Sequence, residues 1–144
     1  MFNGKKIVFI GPGAMAEALI FGLIRQGVAQ PQALIAAGPG KTRLDQLKAS
    51  YAIETTSNNQ EAAQLGDVVV LSVKPQRLET VLDGLKGVIK PDALVLSIVA
   101  GASIDTISNG LLHSLIVRSM PNTPAQIGEG IDRKSTRLNS SHVS

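Results

Sequence analysis

Lys6-Ile7-Val8-Phe9-Ile10-Gly11-Pro12-Gly13-Ala14-Met15-Ala16 is the stretch on which the fold turns. Ile7 to Ile10 form an unbroken apolar run, which predicts a strand buried on both faces rather than one with a solvent side. The run stops at Gly11-Pro12-Gly13. From Ala14 to Gln26, Met15, Ala18, Leu19, Gly22 and Leu23 recur at helical spacing, and Gly27 follows where a left-handed cap would close the helix. A glycine turn between a strand and a helix is the context that a dinucleotide fingerprint of the form GxGxxA requires. Gly11 would permit the tight turn, Gly13 would let the backbone approach a pyrophosphate, and Ala16 would let the helix pack close to the strand. Pro12, Ala14 and Met15 complete the loop. The positive end of the helix would then face the phosphates.

The same alternation continues outward. Ala33–Ala37 reads as a second strand, Thr42–Ser50 as a helix and Ala52–Thr55 as a brief third strand. A short helix through Glu61–Leu65 precedes Asp67–Val73, the most strand-like segment of the chain. Pro75 would open the next helix, which carries Leu78, Val81, Leu82 and Leu85 on one stripe and ends at Gly87. Ala93–Val99, Ile104–Asn109 and Ser114–Arg118 read as strand, helix and strand. Strands alternating with helices predict an α/β fold with a doubly wound, mostly parallel sheet and helices on both faces.

Composition agrees with this and removes other classes. The chain has 144 residues, 44% hydrophobic but only 3% aromatic, a palette of Val, Ile, Leu and Ala that suits a buried parallel sheet. With no cysteine, disulfides and thiolate metal sites are excluded, and Asp and Glu fall singly, without metal-ligand spacing. The apolar run at the N-terminus is too short to span a membrane or to form a leader, so the expected location is the cytoplasm. Of 14 basic and 11 acidic side chains, three basic and one acidic lie within 132–144, leaving 11 against 10 and a net charge of +1. No basic stripe remains, and nucleic acid is not an expected partner.

The ends of the strands carry the chemistry. A site that prefers NAD places a carboxylate at the end of strand two to hold the ribose 2′-hydroxyl. Here Ile35-Ala36-Ala37-Gly38-Pro39-Gly40-Lys41-Thr42-Arg43 offers no carboxylate, whereas Lys41, Thr42 and Arg43 could cradle a 2′-phosphate. NADP(H) is therefore expected over NAD(H). Ser72-Val73-Lys74-Pro75 and Ala100-Gly101 follow strands four and five on the side where ligands of open α/β sheets bind. Arg118-Ser119-Met120-Pro121-Asn122-Thr123-Pro124 makes a proline-bracketed loop after strand six. His113, before that strand, reads as a surface or half-buried residue, and no general acid stands out.

These motifs carry a resemblance. IVFIGPGAMAEALIFGL, VKPQ at 73–76, SIVAG at 97–101 and VRSMPNTPAQIGEG at 117–130 together resemble pyrroline-5-carboxylate reductase, in that family's order. The resemblance implies a Rossmann-like domain and NAD(P)H-dependent reduction of 1-pyrroline-5-carboxylate to L-proline, a step of proline biosynthesis. It implies that Gly11 to Ala16 hold the pyrophosphate, that Gly38 and Pro39 lie near the adenosine ribose, and that Asn59 contacts cofactor, although Asn59 could equally be a helix cap. Val73, Lys74, Pro75, Ala100 and Gly101 would flank the nicotinamide, with Met120, Pro121 and Asn122 closing that end. Family members continue into a helical domain that forms a homodimer or higher homo-oligomer and supplies much of the substrate pocket. This chain is expected to lack that domain and to be inactive alone. The alternatives are another NADP-dependent oxidoreductase, of the β-hydroxyacid dehydrogenase type, and a non-catalytic dinucleotide-binding domain; MPNTP argues against the first. From Asp132 the chain reads DRKSTRLNSSHVS, which resembles a translated DNA-sequencing adapter. The expected division is thus a dinucleotide-binding domain over 1–131 and a non-native, disordered tail over 132–144.

Overall fold

The strands at the centre of the molecule are buried at every position, so backbone hydrogen bonding and apolar burial act on the same residues. The computed structural model describes residues 4–118. Along the chain run β1 (Ile7–Ile10), α1 (Ala14–Arg25), β2 (Leu34–Ala37), α2 (Lys41–Tyr51), β3 (Glu54–Thr56), α3 (Asn59–Leu65), β4 (Val68–Leu71), α4 (Leu78–Leu85), β5 (Leu94–Ser97), α5 (Ile104–Leu111) and β6 (Ile116–Arg118). The six strands form one parallel sheet in the order β3-β2-β1-β4-β5-β6. The order reverses between β1 and β4, so a crevice opens at their carboxyl ends, beside the Gly11–Gly13 turn.

Side-chain alternation sorts the core into two halves. Ile7, Phe9, Leu34, Ala36, Val68 and Val70 face α1 and α2, where Ala16, Leu19, Leu23, Leu44 and Leu47 meet them. Val8, Ile10, Ile35, Val69, Leu71 and Val95 face the other way, onto Ala62 and Ala63 of α3, Leu82 and Leu85 of α4 and Ile107 of α5. Each fully buried aliphatic side chain contributes about 1.5–3 kcal/mol, so a strand apolar on both faces is the stable choice here.

The expected architecture is present, with differences at element ends. Gly27 takes the left-handed conformation after α1, at φ 73°. Strand three starts at Glu54 rather than Ala52, because Ala52 caps α2 in the left-handed region at φ 60°. Pro75–Arg77 is a 3-10 turn, and α4 begins only at Leu78. α3 begins at Asn59, two residues before the apolar pattern suggests, because the Asn58 side chain accepts the Glu61 N–H at 2.9 Å. Asn58 is the cap and Asn59 is not. His113 is buried rather than surface or half-buried: its Nε2 lies 2.7 Å from the Ala93 carbonyl oxygen and ties the approach to β6 to the approach to β5. Among the described residues, no helix is long and apolar enough to cross a membrane, and no group of His, Asp and Glu could hold a metal ion. The MPNTP loop with Met120, Pro121 and Asn122, the division at 131/132 and the tail lie outside the described residues.

Candidate dinucleotide site

Gly11 makes the turn that β1 needs in order to lead into α1. Its φ is 104°, which disfavours any side chain, and a Cβ there would lie 2.9 Å from the Ser72 carbonyl carbon and oxygen. The loop is tied down on both flanks. The Gly11 N–H donates to Ala37 O at 2.9 Å, and the Ser72 hydroxyl lies 2.8 Å from Gly11 O and 3.1 Å from Ile10 O. Gly13 differs: a Cβ there would meet nothing within 4 Å, so its surroundings are open. It is also the N-cap of α1, and no side chain caps the helix, which leaves the leading N–H groups to a ligand or to solvent. Ala16 is fully buried against the sheet, as its place in the fingerprint requires, while Ala14 and Met15 are exposed on the first turn.

Arg43 underpins this loop. From α2, Nε donates to Pro12 O at 2.7 Å, and Nη2 donates to Gly13 O at 3.1 Å and pairs with Glu17 Oε1 at 2.8 Å. The Tyr51 hydroxyl donates to the other Glu17 oxygen at 2.7 Å. The Tyr51 hydrogen bond and the Arg43 guanidinium hold the Glu17 carboxyl below its ordinary value, and the same bond, with burial, raises the Tyr51 phenol. Sequence reasoning placed Arg43 with Lys41 and Thr42 around a 2′-phosphate; the structure turns the Arg43 guanidinium toward the loop carbonyls. It missed Glu17 and Tyr51, whose roles depend on a contact 34 residues apart. Lys41 is exposed and pairs with Asp45 one turn on, at 2.9 Å.

The remaining residues separate into two cavities at the carboxyl edge. One, of about 520 Å³, brings Pro39, Asn58, Asn59, Gln60 and Arg77 together between α3 and α4. Asn59 Oδ1 is buried there without a hydrogen-bond partner, which marks it as an acceptor left for a ligand or a bound water. Arg77, unsuspected from the sequence, puts a cation on this cleft. The other, of about 410 Å³, joins Pro75 to Val99, Ala100, Gly101 and Ala102 between α4 and α5. Val73 packs against the core beside it, and Lys74 is exposed at the entry to the 3-10 turn. An uncapped helix start, an unpartnered buried acceptor and cavities on the crevice side fit a dinucleotide.

A family model described as "NADP oxidoreductase coenzyme F420-dependent" matches residues 6–101, from β1 to the turn after β5. The chain belongs to this NADP oxidoreductase family. The chain is also similar to reductases of the kind that VKPQ, SIVAG and MPNTP resemble. The chain is 42% identical to a pyrroline-5-carboxylate reductase of Synechocystis over 122 residues, 85% of this chain and 45% of that protein. The structure of a pyrroline-5-carboxylate reductase from Coxiella burnetii superposes with a TM-score of 0.78 at 35% identity, covering 87% of this chain and 47% of that one. A pyrroline carboxylate reductase of Plasmodium falciparum, solved with NADP bound, gives 0.72 at 29% identity, over 88% of this chain and 46% of that one. The chain thus spans about half the length of the relatives it matches, and as a member of the family it corresponds to their amino-terminal, Rossmann-like part.

Proposed function

We propose that this chain is the cofactor-binding part of a pyrroline-5-carboxylate reductase, which reduces 1-pyrroline-5-carboxylate to L-proline with NADPH in preference to NADH. The observation that carries the reading is the crevice at the β1/β4 switch point. An uncapped α1 with open space at Gly13 faces it, and the unpartnered Asn59 Oδ1, in the cleft it shares with Pro39, is the acceptor this reading assigns to the adenosine end. Gly11 to Ala16 hold the pyrophosphate, Gly38, Pro39 and Asn59 meet the adenosine ribose, and Lys41 answers the 2′-phosphate. Ser72 to Pro75, with Ala100 and Gly101, receive the nicotinamide end, where Met120, Pro121 and Asn122 close it. When bound, the dinucleotide supplies a hydride. The chain's share of catalysis is to orient that ring by backbone and apolar walls, because placement alone is worth several powers of ten in rate. On this reading the substrate pocket and the homo-oligomer contacts are completed by residues outside the match, and the 144-residue chain alone binds cofactor without turnover.

The test is a chimera in which these residues replace the matching segment of the Synechocystis relative. Proline formation from 1-pyrroline-5-carboxylate and NADPH is expected. A folded chimera that binds NADPH but leaves the imine untouched would overturn the reading.

A further inference from the structure

The first residue beyond β2 is Gly38, and that is where a carboxylate would have to stand to grip a ribose 2′-hydroxyl. Its backbone does not lie in the left-handed region, so conformation does not demand glycine there. Space does. A Cβ at Gly38 would lie 2.4 Å from Pro12 Cδ and 3.0 Å from Pro12 Cγ. A leucine or lysine neighbour could swing aside, but a pyrrolidine ring is fused to its own backbone and moves only with it.

That backbone is held from both ends. Gly11 N–H is bonded to Ala37 O at 2.9 Å, and Arg43 Nε grips Pro12 O at 2.7 Å. On the facing side, Gly38 N–H donates to Thr56 O at 3.2 Å, which fixes Gly38 to the end of β3. Moving Pro12 would strain the bonds from Gly11 to the end of β2 and from Arg43 of α2, and moving Gly38 would strain its bond to the end of β3.

From this contact, and on the dinucleotide reading above, we infer that Pro12 and Gly38 are a specificity-determining pair. Pro12 fills the volume that any side chain at position 38 would need. The site therefore cannot carry the carboxylate that selects a free 2′-hydroxyl, and a 2′-phosphate meets no negative charge where the strand ends. Pro12, between the first two glycines of the fingerprint, thereby bears on cofactor choice without touching the ribose itself.

The experiment compares the chain with Pro12→Ala, Gly38→Ala, P12A/G38A and P12A/G38D, by calorimetric melting and by titration with NADPH and NADH. Gly38→Ala is expected to lower Tm by several degrees, and P12A/G38A to melt where Pro12→Ala does. The NADPH-over-NADH preference of P12A/G38D is expected to fall about tenfold or more below that of Pro12→Ala, the scale of one charged hydrogen bond gained and one repulsion added. A Gly38→Ala chain as stable as the parent, or a destabilisation that Pro12→Ala does not relieve, would overturn the pairing. An unchanged preference in P12A/G38D, with the parent chain binding normally, would overturn the specificity role alone. Failure of the folded parent to bind either dinucleotide would instead bring down the dinucleotide reading, and the specificity role with it.

Discussion

Arg43 Nε lies 2.7 Å from the carbonyl oxygen of Pro12, so a residue in the first turn of α2 holds the loop that opens α1. The same guanidinium reaches Gly13 O at 3.1 Å and Glu17 at 2.8 Å. Its donors on this side are spent on the loop rather than turned to solvent. Arg43→Ala is therefore expected to weaken NADPH and NADH alike, by about five- to tenfold, the worth of one or two such bonds in preorganising the loop. Titration with both dinucleotides checks this. A loss confined to NADPH would show that Arg43 reads the 2′-phosphate instead.

Lys41 should behave in the opposite way. Its pair with Asp45 is exposed on both sides and worth little, so the ammonium can be recruited by a phosphate at small cost. Lys41→Ala is expected to weaken NADPH by about threefold or more while leaving NADH unchanged, with the difference shrinking as salt is raised. Equal affinities in parent and variant at low salt would remove Lys41 from the site.

The two glycines of the loop separate fold from function. Gly11→Ala adds a Cβ at φ 104° and 2.9 Å from Ser72 backbone atoms, and is expected to cost about 2–3 kcal/mol in chemical denaturation. Gly13→Val adds its side chain to open space, at a φ of −88°. Its stability should fall by no more than about 1–2 kcal/mol, the cost of replacing glycine by a poor N-cap residue in open space. Its affinity for either dinucleotide should vanish, because the valine stands where the proposed function seats the pyrophosphate.

Asp67 gives the fold a pH signature. Its carboxylate accepts the Lys6 backbone N–H and the Lys90 ammonium, each at 2.8 Å, joining β1, the head of β4 and the approach to β5. Burial pushes this carboxyl up, but the Lys90 hydrogen bond and the Lys6 N–H outweigh it and leave the group below its ordinary 3.8. A carboxyl lowered by folding stabilises the fold above its unfolded value, and that contribution is lost as pH falls through the folded one. Asp67→Asn should thus lower stability by about 1–2 kcal/mol at neutral pH. The gap from the parent should close below about pH 4, as melting curves across pH will report.

What could be read in the sequence was what repeats or lies close along the chain. Ile7–Ile10 and Val68–Leu71 announce themselves because strands buried on both faces have no polar position to blur them. Gly11 and Ala16 are legible because the fingerprint spans adjacent elements. Strand three is less so: Ala52 bears no mark of the left-handed cap it forms, and Glu54 to Thr56 lack a buried residue. The Arg43 hold on Pro12 and the Pro12–Gly38 contact join residues 31 and 26 positions apart, through a register that exists only once β1 and β2 are paired. Asn59 is a similar case. Beside Asn58 it could be a cap or a ligand, and only the bond from Glu61 to Asn58 assigns the cap and frees its neighbour.

The most direct test of the site is a heteronuclear NMR titration of the 144-residue chain with NADPH. The expected result is saturable binding, with the largest shifts at Gly11, Gly13, Asn59 and Ala100, and little change at His113 or Lys90 at the other end of the sheet. A well-dispersed spectrum that NADPH leaves unmoved, or shifts that avoid the carboxyl edge, would contradict it.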